Sequence, residues 1–411
     1  MMNKQVLMLA RGEYESFLKL DGSTIFDNLP CQGVILADRG NAKTYPKLTD
    51  KFKVEVVRWS EEEKLKEQVV ALHKEYQFTA VATLDESNVG LAAELRELLG
   101  IEGLQHEQGL WFRDKVTMKQ RLKNTTVKYP QFACCTDIEQ IRTMLSTFGK
   151  LVIKPKDGFG SKEVIFVSIP QELEVWIEKN QQHLGHFEAE EFIEGQLYHI
   201  NAMIVNGETK LTAPAAYLPG MSNIDFTAGT PFISVIEEDT ELKQRLIAFS
   251  DEVNRAFEIK NGITHLECFV SPNGELTFCE IGLRPGGGGI VWMIELQYGV
   301  NYAEAVLAIE AGCTEVLPSI NEHNPAVSGL IGIRSNISGF VKECLPLGAM
   351  TDSRIKLKQS FVKPGAFKAA STHCTDFLSL FIFDSENTES FHGMWRDIQQ
   401  KYQQNLSFTT I

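Results

Sequence analysis

Residues 265–289 read HLECFVSPNGELTFCEIGLRPGGGG. Two strand-like runs flank Asn273-Gly274, a pair that favours a two-residue hairpin turn because it tolerates positive φ at both positions. With those two residues as the loop, Glu267 faces Glu280 and Phe269 faces Phe278. Directly opposed side chains lie about 4.5–5.5 Å apart at Cβ. Two carboxylates so placed repel each other, so either one is protonated or a cation sits between them. A solvated pair on an exposed face is the plain alternative, but Phe269 and Phe278 on the same face count against it. A Mg²⁺ site explains the pairing better, because that ion takes oxygens from one or two carboxylates plus substrate phosphates. The same register opposes Cys268 and Cys279 on the other face, where small buried side chains are expected.

The 411 residues suffice for two to four lobes. Hydrophobic content of 43% and charged content of 23% are those of a globular protein. A net charge of −14 without a basic run argues against nucleic acid or an anionic membrane as partner. The opening MMNKQVLMLARGE holds too short an apolar run for a signal peptide or a membrane span. The cysteines are scattered without a C-x-x-C, so reduced thiols and a cytoplasmic location are expected. The histidines form no zinc pattern, and neither G-x-S-x-G nor G-x-x-x-x-G-K occurs.

Strands and helices alternate over the first hundred residues, which implies a small parallel α/β layer. QVLMLA (5–10), GVILAD (33–38), KVEVVRW (53–59) and TAVATL (79–84) read as strands, and residues 61–75 as a helix. Leu91, Leu95, Leu98 and Leu99 share one face of a following helix that Gly100 stops. No good G-x-G-x-x-G supports a dinucleotide site here. Further on, 113–124 reads as a helix with Asp114 near its start. Residues 151–168 read as strand, Gly-containing loop, strand; 187–195 as a strand; 198–214 as a second Asn-Gly hairpin; 240–257 and 301–311 as helices. The tail mixes strands (GLIGIR, FLSLFIF) with a final helix ending near 403.

The loop KPKDGFGSK (154–162) can bring backbone N–H groups close to an anion. Alone it would be a flexible hairpin with surface lysines. It is accompanied, in order, by Lys115 at a helix start, Lys154 before Gly158, Gly160 and Ser161, the acidic-apolar strand Glu190-Glu191-Phe192-Ile193, the pair Glu267 and Glu280, and Arg284. This order and spacing resemble the ATP-grasp superfamily, most of all its carboxylate–amine ligases such as the bacterial L-amino-acid ligases. The likeness runs from about residue 80 to residue 290.

The resemblance implies an α/β fold, α+β in the grasp unit. Its parts would be an N-terminal Rossmann-like domain over 1–110, a lid subdomain over 111–186, and a C-terminal lobe over 187–411 with the metal site and a tail covering the substrates. It implies that Lys115 and Lys154 hold ATP phosphates, and that the flap 157–162 closes over them through Gly158, Gly160 and Ser161. The strand 190–193 would recognise adenine, with backbone groups near Glu191 and Ile193 reading the base edge beside Glu190 and Phe192. Glu267 and Glu280 would bind Mg²⁺, with Mn²⁺ as a substitute, and Arg284 would steady the reacting carboxylate and its phosphorylated form. Two departures stand out. Gly282 replaces the usual Asn of E-x-N-x-R, and Leu197 replaces a glutamate that contacts ribose. Tyr198, His199 or Asn201 are candidates for that contact, although a satisfied strand histidine is the plainer reading of His199 by itself.

The implied reaction is phosphorylation of a carboxylate by ATP, then attack of an amine on the acyl phosphate. A pair of L-amino acids giving a dipeptide is the leading reading. Ligases for another small acid, a carrier-bound acid or a purine-type substrate stand beside it, as does an ATP-binding regulatory module without turnover. Fold analogy alone does not choose among them. Dimers are common in the resembled family, so a homodimer is among the expectations.

Overall fold

A computed structural model describes residues 4–45, 51–218 and 228–409. Strands β1 (Lys4–Leu9), β2 (Cys31–Ala37), β3 (Phe52–Val56) and β4 (Ala80–Thr83) form a parallel sheet in the order β3-β2-β1-β4. Val6–Leu9, Val34–Ala37 and Ala80–Ala82 are buried without alternation. That is the pattern of strands covered on both faces. The helix Val89–Leu99 ends at Gly100, whose φ is 66°. Its buried face differs from the expected leucine stripe. Val89, Ala92, Ala93, Leu95 and Arg96 are inside, whereas Leu98 is half exposed. The alanines let the helix lie close, and Arg96 is buried because it donates to the Val81 carbonyl and pairs with Glu310 at 2.7 Å.

A second sheet is antiparallel, in the order β5-β8-β6-β7, from β5 (Phe132–Cys134), β6 (Leu151–Pro155), β7 (Ile165–Val167) and β8 (Phe187–Glu191). Helices Ile138–Phe148 and Pro170–Asn180 cover one face through Ile141, Leu145 and Leu173 against Leu151, Ile153 and Ala189. Strand β8, just past residue 186, pairs with both β5 and β6.

The largest sheet has eight antiparallel strands. They are β9 (Gln196–Val205), β10 (Glu208–Tyr217), β11 (Phe232–Ile236), β12 (Gly262–Val270), β13 (Leu276–Gly282), β14 (Val327–Ile333), β16 (Ile355–Ser360) and β18 (Ser379–Ser385), in the order β13-β12-β9-β10-β11-β14-β18-β16. The tail thus extends this sheet. It also supplies the small sheet β17-β15-β19, from β15 (Gly339–Glu343), β17 (Phe367–Lys368) and β19 (Ser407–Thr409). Helices Ile290–Tyr298 and Tyr302–Glu310 pack in one core with the N-terminal strands and with Ala213 and Ala215 of β10. Helices Thr240–Ala256 and Thr388–Gln404 pack in another, against Leu266, Cys268, Phe278 and Phe381.

The β12–β13 hairpin corrects the sequence reading in its details. Gly274 has φ of 83°, Asn273 is not in the left-handed region, and Ser271 N–H donates to the Glu275 carbonyl. The loop therefore has three residues, 272–274, closed by a left-handed glycine. A shift of register between Glu267 and Cys268 compensates, so His265 faces Gly282 and Glu267 faces Glu280, as expected. Beyond the shift, Cys268 faces Phe278 and Phe269 faces Thr277. Phe278 and Cys268 are fully buried together, while Phe269 and Cys279 line the same cleft as the glutamates. The expected Phe269–Phe278 and Cys268–Cys279 pairs do not form, because the shift moves one strand by one residue and exchanges its faces. All eight cysteines are free, and no helix among the described residues is long and apolar enough to cross a membrane.

Candidate active site

Two clefts meet at the glutamate pair. The first, about 430 Å³, lies between the second sheet and the large sheet. Lys115, Lys154, Gly158–Lys162, Glu190–Ile193, Leu197, Phe269 and Cys279 line it. The second, about 410 Å³, is lined by Ser16, Asp85, Glu86, Arg284, Gly286–Gly289, Trp292 and His373–Thr375. Both are bounded by Glu267, Glu280, Tyr217 and the flap residues Phe159–Ser161.

Lys115 begins the helix Lys115–Leu122, capped by the Asp114 carboxylate, which accepts from Thr117 N–H at 2.8 Å. Its ammonium donates to the Gly158 carbonyl and lies 3.0 Å from Glu280 Oε2. One lysine therefore ties the flap to the paired glutamates. Burial pushes the Glu280 carboxyl up, but Lys115 and Lys154 overcome this and hold it below the usual range. On β6, Lys154 lies 2.8 Å from Glu190 Oε2. The flap backbone is contorted, with φ of 63° at Gly160, 58° at Ser161 and 59° at Glu163. Left-handed non-glycine residues cost on the order of 1 kcal/mol or more and gather where a loop serves a ligand. At Gly160 a Cβ would lie 1.9 Å from His373 Nε2, so only glycine lets the flap meet the 373–375 loop.

At the hinge, the N–H groups of Glu191 and Phe192 are taken by the carbonyls of Gln131 (2.9 Å) and Lys150 (3.1 Å). The Glu191 carboxylate in turn accepts from Gln131 N–H at 3.0 Å. Ile193, next along the chain, lines the first cleft.

Arg284 donates from Nε to Glu86 Oε2, and from Nη1 to the Pro285 carbonyl at 2.8 Å. Arg113 holds the other Glu86 oxygen at 2.6 Å and also the Asp157 carbonyl at 2.6 Å. Burial would raise the Glu86 carboxyl, but the two guanidinium groups hold it down to about 2. This pair also accounts for the glycine at 282. A Cβ there would already be 3.0 Å from Glu86 Oε2 and 3.5 Å from Arg284 Cγ, so an Asn side chain would displace the Glu86–Arg284 contact.

The structure corrects the placement of His199. It is fully buried in the large sheet and does not line the first cleft. Its Nε2 meets Ser234 Oγ at 2.7 Å and its Nδ1 meets Asn201 Nδ2 at 2.9 Å. Asn201 Oδ1 continues the network to His265 Nδ1 at 3.0 Å and accepts from Gly286 N–H at 3.2 Å. Burial, then neighbouring His265, keeps the His199 pKa well below its ordinary value. It is a satisfied neutral histidine, and Asn201 is spent in the same network.

Among the described residues no three His, Cys, Asp or Glu side chains gather to hold a metal ion. The donor set that fits one is the register pair Glu267 and Glu280, two hard oxygen ligands at the mouth of a lysine-lined cleft. Such a pair suits a cation that draws its other oxygens from phosphate and water.

Three participants escape sequence reading. Glu86 follows β4, at the carboxyl end of a parallel strand where ligands gather, and that position is its signal. Lys119 lies one helical turn after Lys115 and is fully buried between Glu188 and Glu190. His373 stands in the tail, where no local pattern marks it.

Residues 112–260 match the ATP-grasp domain family. The L-arginine-specific L-amino acid ligase of Bacillus subtilis is 26% identical over 244 residues, which are 56% of this chain and 57% of that protein. The chain thus spans little more than half the length of this curated relative. The crystal structure of an L-amino acid ligase from Bacillus licheniformis superposes with a TM-score of 0.77 at 19% identity, covering 100% of this chain and 99% of that one. Phosphoribosylglycinamide synthetase from Anaerococcus prevotii gives 0.74 at 16% identity, covering 100% of both chains. Domain match and overall fold agree: residues 112–260 match an ATP-grasp domain, and the chain has an ATP-grasp fold.

Proposed function

We propose that this protein is an ATP-dependent carboxylate–amine ligase that joins two L-amino acids into a dipeptide. The observation that carries the reading is the junction of two clefts at Glu267 and Glu280. The first cleft has what a nucleotide needs: an apolar wall from Phe269, Leu197 and Phe192, a hinge donor at Ile193, and Lys115 and Lys154 for phosphates. The second offers Arg284 and the backbone of 287–289 to an anionic acid, and it opens beside the glutamates. A phosphoryl group bound there would face a carboxylate steadied by Arg284 across the shared wall.

Lys154 and Lys115 neutralise charge on the phosphoryl oxygens, and Glu86 orients the Arg284 guanidinium toward the acid. Mg²⁺ held by Glu267 and Glu280 would neutralise further charge on the transferring group. The flap, closed on the 373–375 loop, keeps water from the acyl phosphate until the amine attacks. Ribose would meet Leu197, so its hydroxyls are left to the backbone or to water rather than to a carboxylate.

The likeness to L-amino acid ligases supports an amino-acid pair as substrates. The test is phosphate release from Mg·ATP with each of the twenty L-amino acids, alone and in pairs, with products weighed by mass spectrometry. Release that depends on a particular pair, with a product at the dipeptide mass, is expected. Nucleotide binding without stimulation by any amino acid would refute the dipeptide reading and turn the search to other acids.

A further inference from the structure

Lys154 faces the nucleotide cleft from a cluster of four buried charges. Glu188 and Glu190, two residues apart on β8, point to one side of that strand. Lys119 reaches them from the helix Lys115–Leu122. It donates to both Glu188 oxygens at 2.7 and 2.8 Å, to the Lys115 carbonyl at 3.1 Å, and it touches Glu190 Oε1. Lys154 lies 2.8 Å from Glu190 Oε2 and 4.0 Å from Glu188 Oε1. Lys119 and Glu188 are fully buried, and Lys154 and Glu190 nearly so.

The two lysines are not equivalent. Lys119 has no exposure and does not line the cleft, whereas Lys154 does. The Glu190 carboxylate is thus bridged by one cation with access to a ligand and one without. A buried carboxylate that loses its partner carries a large penalty. Were Lys154 the sole partner of Glu188 and Glu190, moving its ammonium to a phosphate would strand both.

We infer that Lys119 is a positioning residue for nucleotide binding: a fixed counter-cation that keeps Glu188 and Glu190 paired while Lys154 turns to an ATP phosphate. With Lys154 turned away, Lys119, Glu188 and Glu190 sum to −1. Removing the Lys119 charge makes that remainder −2, and it then pulls Lys154 back. Removing the Glu188 charge as well restores −1. Burial, and then the neighbouring Glu190, already pushes the Glu188 carboxyl up, so it is the member that tolerates neutralisation. Burial would raise Glu190 too, but the ammonium groups of Lys119 and Lys154 hold it down to about 2.

This rests on the ATP reading above, and its test needs neither acid nor amine. Calorimetric titration with Mg²⁺ and a non-hydrolysable ATP analogue reads binding directly. Lys119→Met is expected to weaken binding at least ~10-fold. The double variant Lys119→Met/Glu188→Gln is expected to return to within ~3-fold of the wild type, with Glu190 and Lys154 untouched. A loss caused by damaged packing would not be restored by a second substitution in the same core. Glu188→Gln alone leaves a remainder of zero and is expected to bind as tightly as the wild type or tighter, which decides the matter if Lys119→Met does not fold. Wild-type affinity in Lys119→Met, a double variant no better than the single one, or weakened binding in Glu188→Gln would overturn the inference. A wild type that binds the analogue but makes no dipeptide would refute the dipeptide reading and leave this one standing. A wild type that does not bind it would overturn both.

Discussion

Glu86→Gln removes one charge from a partly buried trio and changes almost no volume. In the native protein both Glu86 oxygens are held, one by Arg284 and the other by Arg113 at 2.6 Å. Against the cost of burial, these contacts bring the carboxyl from its ordinary 4.5 down to about 2. At ~1.36 kcal/mol per pH unit, that drop corresponds to about 3 kcal/mol of stability at neutral pH. The folded pKa is depressed, so this contribution is present above pH 4.5 and is lost as pH falls toward 2. The difference between wild type and variant should be about 3 kcal/mol at pH 7 and less than half of that at pH 3. For 411 residues unfolding together, 3 kcal/mol corresponds to a fall in Tm of roughly 4 °C. Arg284 loses its charged anchor in the same step, so ligation should slow while nucleotide affinity in the neighbouring cleft changes little. Calorimetry at both pH values, combined with analogue titration and product formation at pH 7, reads all three consequences. A variant that melts with the wild type at pH 7, or whose deficit is as large at pH 3 as at pH 7, would refute the assignment of Glu86 as the charged clamp on Arg284.

Glu280→Gln should lower turnover by a factor on the order of 100 or more with the fold retained, measured as product formation beside a circular dichroism melt; near wild-type turnover would remove Glu280 from the proposed metal site. Lys154→Ala should weaken analogue binding by ~10- to 100-fold, the range for one charge-assisted hydrogen bond, and unchanged affinity would reduce Lys154 to a strand-end charge. Gly160→Ala should force the flap off His373, because its methyl would lie 1.9 Å from His373 Nε2 and its φ of 63° disfavours a side chain. The readout is the ratio of phosphate released to product formed, which should rise above one as water reaches the acyl phosphate; a ratio equal to the wild type would show that this contact does not seal the site.

What could be read from the sequence were features set by short-range rules. The parallel strands announce themselves as unbroken apolar runs, and Asp114 and Gly100 mark a helix start and a helix stop. The hairpin was legible for a partly accidental reason. An Asn-Gly pair suggests a two-residue loop, and the three-residue loop that forms would shift every partner by one. The register shift after Glu267 cancels that, so the glutamates meet although Phe269 and Phe278 do not. The leucine stripe misled because Ala92, Ala93 and Arg96 have a neighbour to pack against that no local pattern specifies. Glu86, Lys119 and His373 were hidden because their partners lie far along the chain: Arg284, Glu188 and Gly160. Such pairings follow from the docking of lobes, and periodicity carries no information about docking.

The wall shared by the two clefts has a consequence for ligand design. Glu267, Glu280, Tyr217 and residues 159–161 border both spaces, so the two adjoin. Two weak fragments, one seated in each cleft, need a tether only a few atoms long. A tether that short holds its second fragment at an effective concentration in the millimolar range or above. A chimaeric molecule joining an adenine-like head to a phosphinate-bearing amino acid should therefore bind far more tightly than either half, and the gain should vanish as the tether is lengthened.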